Sequence, residues 1–232
     1  MALIIRIDVD RPYGRRPRFR HVLSRISSDW YLPRMEPFGY LAELKTMLHW
    51  LNDQGARAYA FFRRCSLPSR SVLALLDRGR HELGLHLEDS RSFASFTSEK
   101  EILEGHIGRK VLAVSKHGSG GGRFGRRHYA PYEPEKYIEW ARQSSMKVFF
   151  GNLEDPTLQP TAADKEVQCY PSAFWLEPHW RDTGVFTIDW LLACAKDRHV
   201  VLLVHPENVL ESSALVHDFK RLIGALDTVI LK

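Results

Sequence analysis

Short apolar runs alternate along the chain with longer segments that have a helical period. The pattern predicts strands at residues 3–8, 57–63, 82–86, 111–115, 148–150, 200–204 and 229–231. It predicts helices at residues 38–53, 69–78, 99–107, 134–143 and 212–226, with a loop from residue 9 to residue 37. Strands that alternate with helices usually pair in parallel. We therefore expect an α/β fold, a distorted (β/α) barrel of about seven strands.

The chain has the size and composition of a globular protein. It has 232 residues, of which 44% are hydrophobic and 26% charged, so we expect one domain over residues 1–232. There is no apolar run of membrane-spanning length, and the amino terminus lacks the basic region of a signal peptide. We expect no membrane span and a cytoplasmic location. Three widely spaced cysteines, without a Cys-x-x-Cys pair, are expected to be free thiols.

Positive charge is concentrated in two segments, although the net charge is only +5. Residues 11–25 and 123–128 are rich in arginine and are interrupted by proline or glycine, which is typical of loops. No nucleic-acid-binding motif accompanies either segment, so we do not expect nucleic acid as a partner. The guanidinium fork equally suits a phosphate or carboxylate on a small substrate.

Acidic residues and histidines follow several of the predicted strands. Asp8 and Asp10 end the first strand, and His86, His117 and His205 follow the third strand, the fourth strand and residues 200–204. In extended chain a spacing of two puts both carboxylates on one side, which suits a metal ligand beside a general base. Each histidine taken alone is equally typical of a core or surface position. Together they predict a metal-dependent site at the carboxyl ends of the strands.

Five segments resemble the motifs of the polysaccharide deacetylases, the NodB-homology superfamily of carbohydrate esterase family four. Residues 7–10 (IDVD) resemble the first motif, residues 55–62 (GARAYAFF) the second strand, and residues 78–86 (RGRHELGLH) the stretch that leads to a metal-binding histidine. Residues 202–206 (LLVHP) resemble the late Leu-His motif, and residues 189–190 (DW) the segment before it. The resemblance implies a NodB-like barrel with Asp8 as the base, Asp10 and His86 as metal ligands, and His205 as the general acid.

One position departs from the family pattern. The second metal histidine of the family lies four residues after the first, and Ser90 stands there in this chain. A hydroxyl oxygen is a poor zinc ligand, so another residue or water completes the site, or the site is lost. His117 is the best substitute, in an S-x-H-G element that also resembles a subset of deacetylase-like proteins from surface-polysaccharide clusters. A solvent-facing turn residue is the alternative interpretation of His117.

Two further residues are weaker candidates for the site. Residues 118–125 (GSGGGRFG) lack the features of a phosphate loop, and we interpret them as a flexible loop. The family resemblance suggests that Arg123 in this loop supports the base. Asp182 lies in an aromatic segment, residues 175–190, that suits a sugar as well as a core, and its carboxylate could orient the catalytic histidine. A surface turn residue is the alternative for Asp182.

These residues predict an enzyme, a sugar N-deacetylase that hydrolyses non-peptide C–N bonds and depends on a divalent metal, for which zinc is the expected ion. The expected reaction removes an acetyl or similar acyl group from an amino sugar or glycan precursor of surface polysaccharide, O-antigen included. Because we expect a cytoplasmic protein, a nucleotide-linked or lipid-linked sugar is favoured, and its phosphate would suit the arginine-rich loops. Two alternatives stay open: a carbohydrate-binding barrel that has lost part of its metal site, and a hydrolase of non-sugar amides such as cyclic imides or ureides. The oligomeric state is left open.

Overall fold

Nine strands form one twisted sheet in the computed structural model, which describes residues 2–162, 166–177 and 183–231. Eight of the strands are parallel to their neighbours, and only the two-residue β6 is antiparallel, to β7. Their order across the sheet is β6-β7-β5-β4-β3-β2-β1-β9-β8. The strands are β1 (Leu3–Val9), β2 (Ala58–Phe62), β3 (Glu82–Leu87), β4 (Ala113–Lys116), β5 (Val148–Leu153), β6 (Thr161–Ala162), β7 (Gln168–Ser172), β8 (Phe174–Trp175) and β9 (Val200–Val204).

The sheet curls into a nearly closed barrel because two consecutive strands lie on its opposite sides, β8 at one edge and β7 next to the short edge strand β6 at the other. Only Ala173 separates β7 from β8, yet β7 pairs with β5 while β8 pairs with β9. This segment therefore joins the two sides of the sheet. The predicted distorted (β/α) barrel is confirmed, with eight parallel strands instead of about seven. The sequence-based strand count was low because β7 and β8 are short and carry no continuous apolar run.

Helices surround the barrel. Serine or threonine side chains cap α3, α4, α6 and α8, each accepting a hydrogen bond from a backbone N–H of the first turn. The described helices are α1 (Arg18–Trp30), α2 (Ala42–Gln54), α3 (Arg70–Arg78), α4 (Phe93–Ile107), α5 (Pro134–Gln143), α6 (Ile188–Asp197), α7 (Pro206–Glu211) and α8 (Ser213–Ala225). None of them is long and apolar enough to cross a membrane.

Three of these helices and one predicted strand differ from the sequence-based expectation. Helix α1 lies where we predicted a loop, and α6 and α7 were not predicted at all. Residues 229–231 are not a strand, because the chain forms only an isolated bridge there, from Thr228 to Leu3. The remaining predicted helices and strands are confirmed to within several residues at their ends.

Alternation along the strands separates an outer apolar face from an inner face that leads to a polar cluster. The outward residues of β1, Leu3, Ile5 and Ile7, pack in the core between sheet and helices. Ile4 belongs to the inner, aromatic-rich core of the barrel, and Arg6 and Asp8 continue its face. The inner face also holds Gly84, where an added Cβ would lie only 2.2 Å from Phe61 Cε1. This close approach explains the glycine in β3.

Candidate active site

Five of the seven sequence-predicted site residues meet at the carboxyl end of the barrel. Asp10 lies at the centre of the cluster, with Oδ1 3.0 Å from His86 Nε2 and 2.9 Å from His117 Nδ1. Its second oxygen, Oδ2, is 3.4 Å from His205 Nε2. Asp8 Oδ2 is 3.6 Å from His86 Nε2. Because the parallel strands all end at this rim, residues far apart in sequence become neighbours here.

Asp10, His86 and His117 present three ligand atoms to one point and form what we call the ligand trio. The two imidazole nitrogens are 3.3 Å apart, so all three separations lie between 2.9 and 3.3 Å. Ligands of a tetrahedral zinc ion at about 2.0–2.1 Å are separated by about 3.3 Å. Asp10 Oδ1 is buried and has no hydrogen-bond partner among the described residues. The donor set and this orphaned oxygen fit a divalent cation such as zinc.

Hydrogen bonds hold both histidines beside Asp10, and burial favours the neutral, metal-binding form of His117. His86 Nδ1 lies 2.7 Å from Ser115 Oγ, and a proton donated there leaves the Nε2 lone pair facing Asp10. The backbone N–H of His117 donates to Leu87 O at 2.8 Å, which fixes the start of the glycine-rich loop beside β3. Burial, and then the positive charge of Arg63, hold the pKa of His117 well below its ordinary value. A neutral imidazole is the form that binds a metal.

Ser90 is buried but takes no part in the ligand trio. Its hydroxyl lies 3.2 Å from the hydroxyl of Tyr137, a residue of α5. The chain after β3 is held by Glu99, whose carboxylate accepts hydrogen bonds from the backbone N–H groups of Glu88 and Asp89. The position that carries the second histidine in the family pattern is therefore a packing position here.

Arg6 pairs with Asp8, a partnership that the sequence reasoning missed. Its Nε and Nη2 donate to the two carboxylate oxygens at 2.9 and 2.6 Å, and both side chains are almost fully buried. Nη1 donates to Gly151 O at 2.7 Å, and Nη2 also donates to Asn152 Oδ1 at 2.8 Å. A charged residue two positions before an acid, inside an apolar strand, was the available signal.

Arg123 lies on the wall of the cleft and does not contact Asp8. Its guanidinium instead donates to the carbonyl oxygens of Gly125 and Arg126 within its own loop. Arg6 therefore occupies the place beside Asp8, while Arg123 faces the cavity described below.

A carboxylate does hold His205, but it belongs to Glu177. His205 Nδ1 is 2.8 Å from Glu177 Oε1, which also accepts the backbone N–H of His205 at 3.1 Å. Asn208 Nδ2 donates to the other oxygen of Glu177 at 2.5 Å. Burial lowers the pKa of His205, but the negative charges of Asp10 and Glu177 outweigh burial and raise it well above its ordinary value. Asp182, which we had proposed for this role, lies outside the described residues.

A second buried ion pair fixes the backbone of Asp10. Arg63 Nη1 donates to Asp10 O at 2.8 Å, while Nη2 is 2.5 Å from Glu88 Oε1. Ser66 Oγ donates to Val9 O at 2.5 Å. The strand end that carries both acids is therefore held by side chains from the turn after β2, and this connection is long-range in sequence.

Two cavities open on either side of Asp10 and His117. The larger, of about 340 Å³, lies toward α1 and is basic, with Arg11, Arg25 and Arg123 in its wall. The smaller, of about 170 Å³, lies toward β9 and is lined by Phe124, Trp175 and His205 among others. A ligand that filled both would cross the ligand trio.

No protein-family model and no characterised protein sequence matches the chain, but solved structures do. A probable polysaccharide deacetylase from Pseudomonas aeruginosa PAO1 aligns with TM-score 0.56 and 12% identity over 96% of this chain and 83% of its own. The Puue allantoinase aligns with TM-score 0.58 and 13% identity over 96% and 82%. A family 4 carbohydrate esterase from Streptomyces lividans aligns with TM-score 0.50 and 11% identity over 99% and 93%. The barrel of this chain is therefore the NodB-like fold of the polysaccharide deacetylases.

Proposed function

We propose that the chain is a metal-dependent hydrolase that removes an acetyl or similar acyl group from an amino sugar. The observation that carries the proposal is the arrangement of the ligand trio, with one carboxylate and one histidine flanking it on separate strands. A hydrolase of this kind needs a polarised carbonyl, a base for water and an acid for the leaving amine. The described residues supply a candidate for each task.

The ligand trio would hold the cation. Bound there, a zinc ion or similar divalent metal would act as a Lewis acid on the acyl carbonyl and lower the pKa of water. Ser115 and the Arg63–Glu88 pair keep His86 and Asp10 oriented toward that point.

Asp8 and His205 would move the protons. Asp8, oriented by Arg6, takes a proton from the attacking water, so that oxygen bonds to the acyl carbon. His205, held by Glu177, gives a proton to the amine nitrogen as the C–N bond breaks, and the products are a free amino sugar and a carboxylic acid. Without that proton the amine is a poorer leaving group than the attacking oxygen.

Two features support a sugar that carries an anionic group. Two of the fold neighbours are named as a polysaccharide deacetylase and a carbohydrate esterase, and Trp175 and Phe124 offer aromatic faces in the smaller cavity. The arginines of the larger cavity suit a phosphate. We propose a nucleotide-linked or lipid-linked precursor of surface polysaccharide, modified in the cytoplasm by a chain that acts as a single catalytic domain.

A non-sugar amide is the second candidate substrate. The neighbour named as an allantoinase has the same fold, and a cyclic ureide would need the same trio, base and acid. The sugar and the ureide would use the same ligand trio, base and acid, and they differ only in the part of the substrate that would fill the two cavities.

The test is an acyl-release assay on the zinc-reconstituted protein. The substrates are a nucleotide-linked N-acetyl amino sugar, the corresponding free sugar and allantoin, with acetate or ring opening measured. The proposal predicts acetate release that a chelator stops and zinc restores, with Asp10→Asn inactive. If the protein opens the ring of allantoin and releases no acetate from either sugar, the substrate is the non-sugar amide. No turnover by a protein that binds zinc would contradict the proposal for these substrates.

A further inference from the structure

Helix α1 exposes an apolar stripe to solvent. Phe19, Val22, Ile26 and Trp30 recur every three or four residues and are 54%, 55%, 44% and 65% exposed. Phe38, 46% exposed, stands against Phe19 with ring centroids 6.2 Å apart. These five side chains, which we call the α1 stripe, are five of the eleven large hydrophobic residues exposed in the described ranges. Exposed apolar residues are ordinarily scattered, so such a concentration indicates a contact surface.

The inward side of α1 buries little apolar surface, because Leu23 is its only large apolar side chain that packs, partly buried, against the core. The buried residues of the helix are Ser24 and Ser27, and Arg20 reaches past them to Glu43 and Gly39 O. An ordinary surface helix turns its apolar face toward the core. Helix α1 is largely reversed, because its fully buried residues are serines and four of its five large apolar residues, all except Leu23, face outward.

Positive charge borders the α1 stripe. Arg18 and Arg25 lie on the flank of the helix nearer the larger cavity and have no hydrogen-bond or ion-pair partner in the described part of the chain. At the other end Arg126 stacks on the exposed ring of Trp30 at 4.7 Å. Residues 11–25 contain six arginines and no acid, and glutamates of other elements pair with three of the six. The surface therefore joins an apolar stripe to a basic rim.

We propose that α1 lies flat on an anionic lipid surface, with the α1 stripe among the acyl chains and the arginines against lipid phosphates. Interfacial helices have this composition, with aromatic and aliphatic residues on one face and arginine or lysine beside it. Tryptophan favours the boundary between headgroups and acyl chains. The inference goes beyond the proposed function and does not depend on turnover.

A second copy of the chain fits the α1 stripe less well. A two-fold contact through α1 would bring Arg18 and Arg25 of both copies together, and these two arginines have no acidic partner among the described residues. Lipid phosphates neutralise these charges. The docked orientation also has a consequence for the site, because His21, Arg25 and Ser28 of the same helix line the larger cavity, which would open at the lipid surface.

The test is co-sedimentation of the full chain with vesicles of phosphatidylcholine, alone or with a third of phosphatidylglycerol. We expect binding to the anionic vesicles that weakens at least tenfold as salt rises from about 0.1 M to about 1 M. Val22→Gln/Ile26→Gln should weaken binding at least tenfold, because it removes the centre of the α1 stripe. Leu112→Gln/Val185→Gln, at positions 50% and 56% exposed outside α1, is the matched control and should bind as wild type does.

A second measurement does not depend on how well the double variant folds. Brominated lipids should quench part of the tryptophan fluorescence of the wild-type chain, and Trp30→Phe should lose that quenching. No binding to anionic vesicles, or binding that the α1 variant leaves unchanged, would overturn the proposal. So would a dimer in solution that Val22→Gln/Ile26→Gln dissociates, because the α1 stripe would then be a self-association surface.

Discussion

His81 precedes β3 and His86 lies near the carboxyl end of the same strand, but their surroundings are opposite. At the amino end of the barrel, His81 Nδ1 accepts the backbone N–H of Ala58 at 3.0 Å, and Nε2 lies 2.8 Å from Asn52 Oδ1. Both ring nitrogens therefore have partners. At the carboxyl end, His86 faces Asp10 and His117, where buried polar atoms of both neighbours have no hydrogen-bond partner among the described residues.

The two ends of the barrel show the same residue type in two roles. His81 has a structural role, and His86 is placed for chemistry. Buried polar groups are normally satisfied, so an end whose polar atoms are all paired is built for stability. An end where the lone pairs of several buried side chains point at one place without hydrogen-bond partners is suited to bind a ligand such as a metal ion. Sequence shows two histidines five residues apart and cannot show this difference.

The largest effect should come from Asp8→Asn at the carboxyl end. Turnover should fall about a hundredfold or more, because the amide cannot take the proton from water. Asparagine keeps an oxygen for Arg6, so the barrel should stay folded and bound zinc should remain. Asp53→Asn, at an exposed position near the end of α2 and outside both cavities, is the matched control and should stay within a few-fold. Loss of zinc from Asp8→Asn would make Asp8 a ligand instead of the base.

Glu177→Gln should have an intermediate effect. The substitution keeps the hydrogen bond to Asn208 in reach but removes the negative charge beside His205, so turnover should fall about tenfold to a hundredfold. Zinc content and the free energy of unfolding should change little. Glu211→Gln, on the neighbouring α7 and away from His205, serves as the control. Equal losses in both variants would remove the special role of Glu177.

The smallest effect should come from His81 at the amino end of the barrel, and it should appear only in the free energy of unfolding. Burial, then the charge of Arg57, lowers the pKa of His81 to about 4, against about 6.5 in the unfolded chain. Below pH 6.5 the unfolded state binds the extra proton, so this contribution is complete above pH 6.5 and falls by up to about 1.4 kcal/mol per pH unit toward pH 4.

Urea unfolding of wild type and His81→Gln at pH 7 and pH 5 measures this contribution. The wild-type free energy of unfolding should fall by about 1–2 kcal/mol more than that of the variant between the two pH values. The comparison with the variant cancels other groups that titrate in this range. Equal pH dependence in both proteins, or loss of turnover in His81→Gln at pH 7, would contradict a purely structural role for His81.

The fold was largely predictable because most strands are continuous apolar runs. Helix α1 was not, because the arginines, prolines and glycine of residues 11–25 are typical of a loop, although the apolar residues of α1 recur at helical spacing. Strands β7 and β8 were missed because closure of the barrel depends on pairing between distant segments, which local pattern does not show.

The candidate site was predictable where a residue follows directly from a strand. Asp10, His86 and His205 lie at strand ends in recognisable motifs, and His117 directly follows the end of β4. Glu177 was missed because its pairing with His205 spans 28 residues and has no local pattern. Arg6 had a local signal, since it shares the inner face of β1 with Asp8, but a charge inside an apolar strand suggested no partner.

The central claim is that His117 supplies the third metal ligand, in place of the histidine that the family pattern has at the position of Ser90. The most direct test is zinc content, measured by plasma mass spectrometry after equilibrium dialysis, of wild type, His86→Ala, His117→Ala and Ser90→Ala. We predict about one zinc per wild-type chain, comparable loss in both histidine variants, and affinity within a few-fold of wild type for Ser90→Ala. Zinc retained by His117→Ala, or lost from Ser90→Ala, would contradict the account.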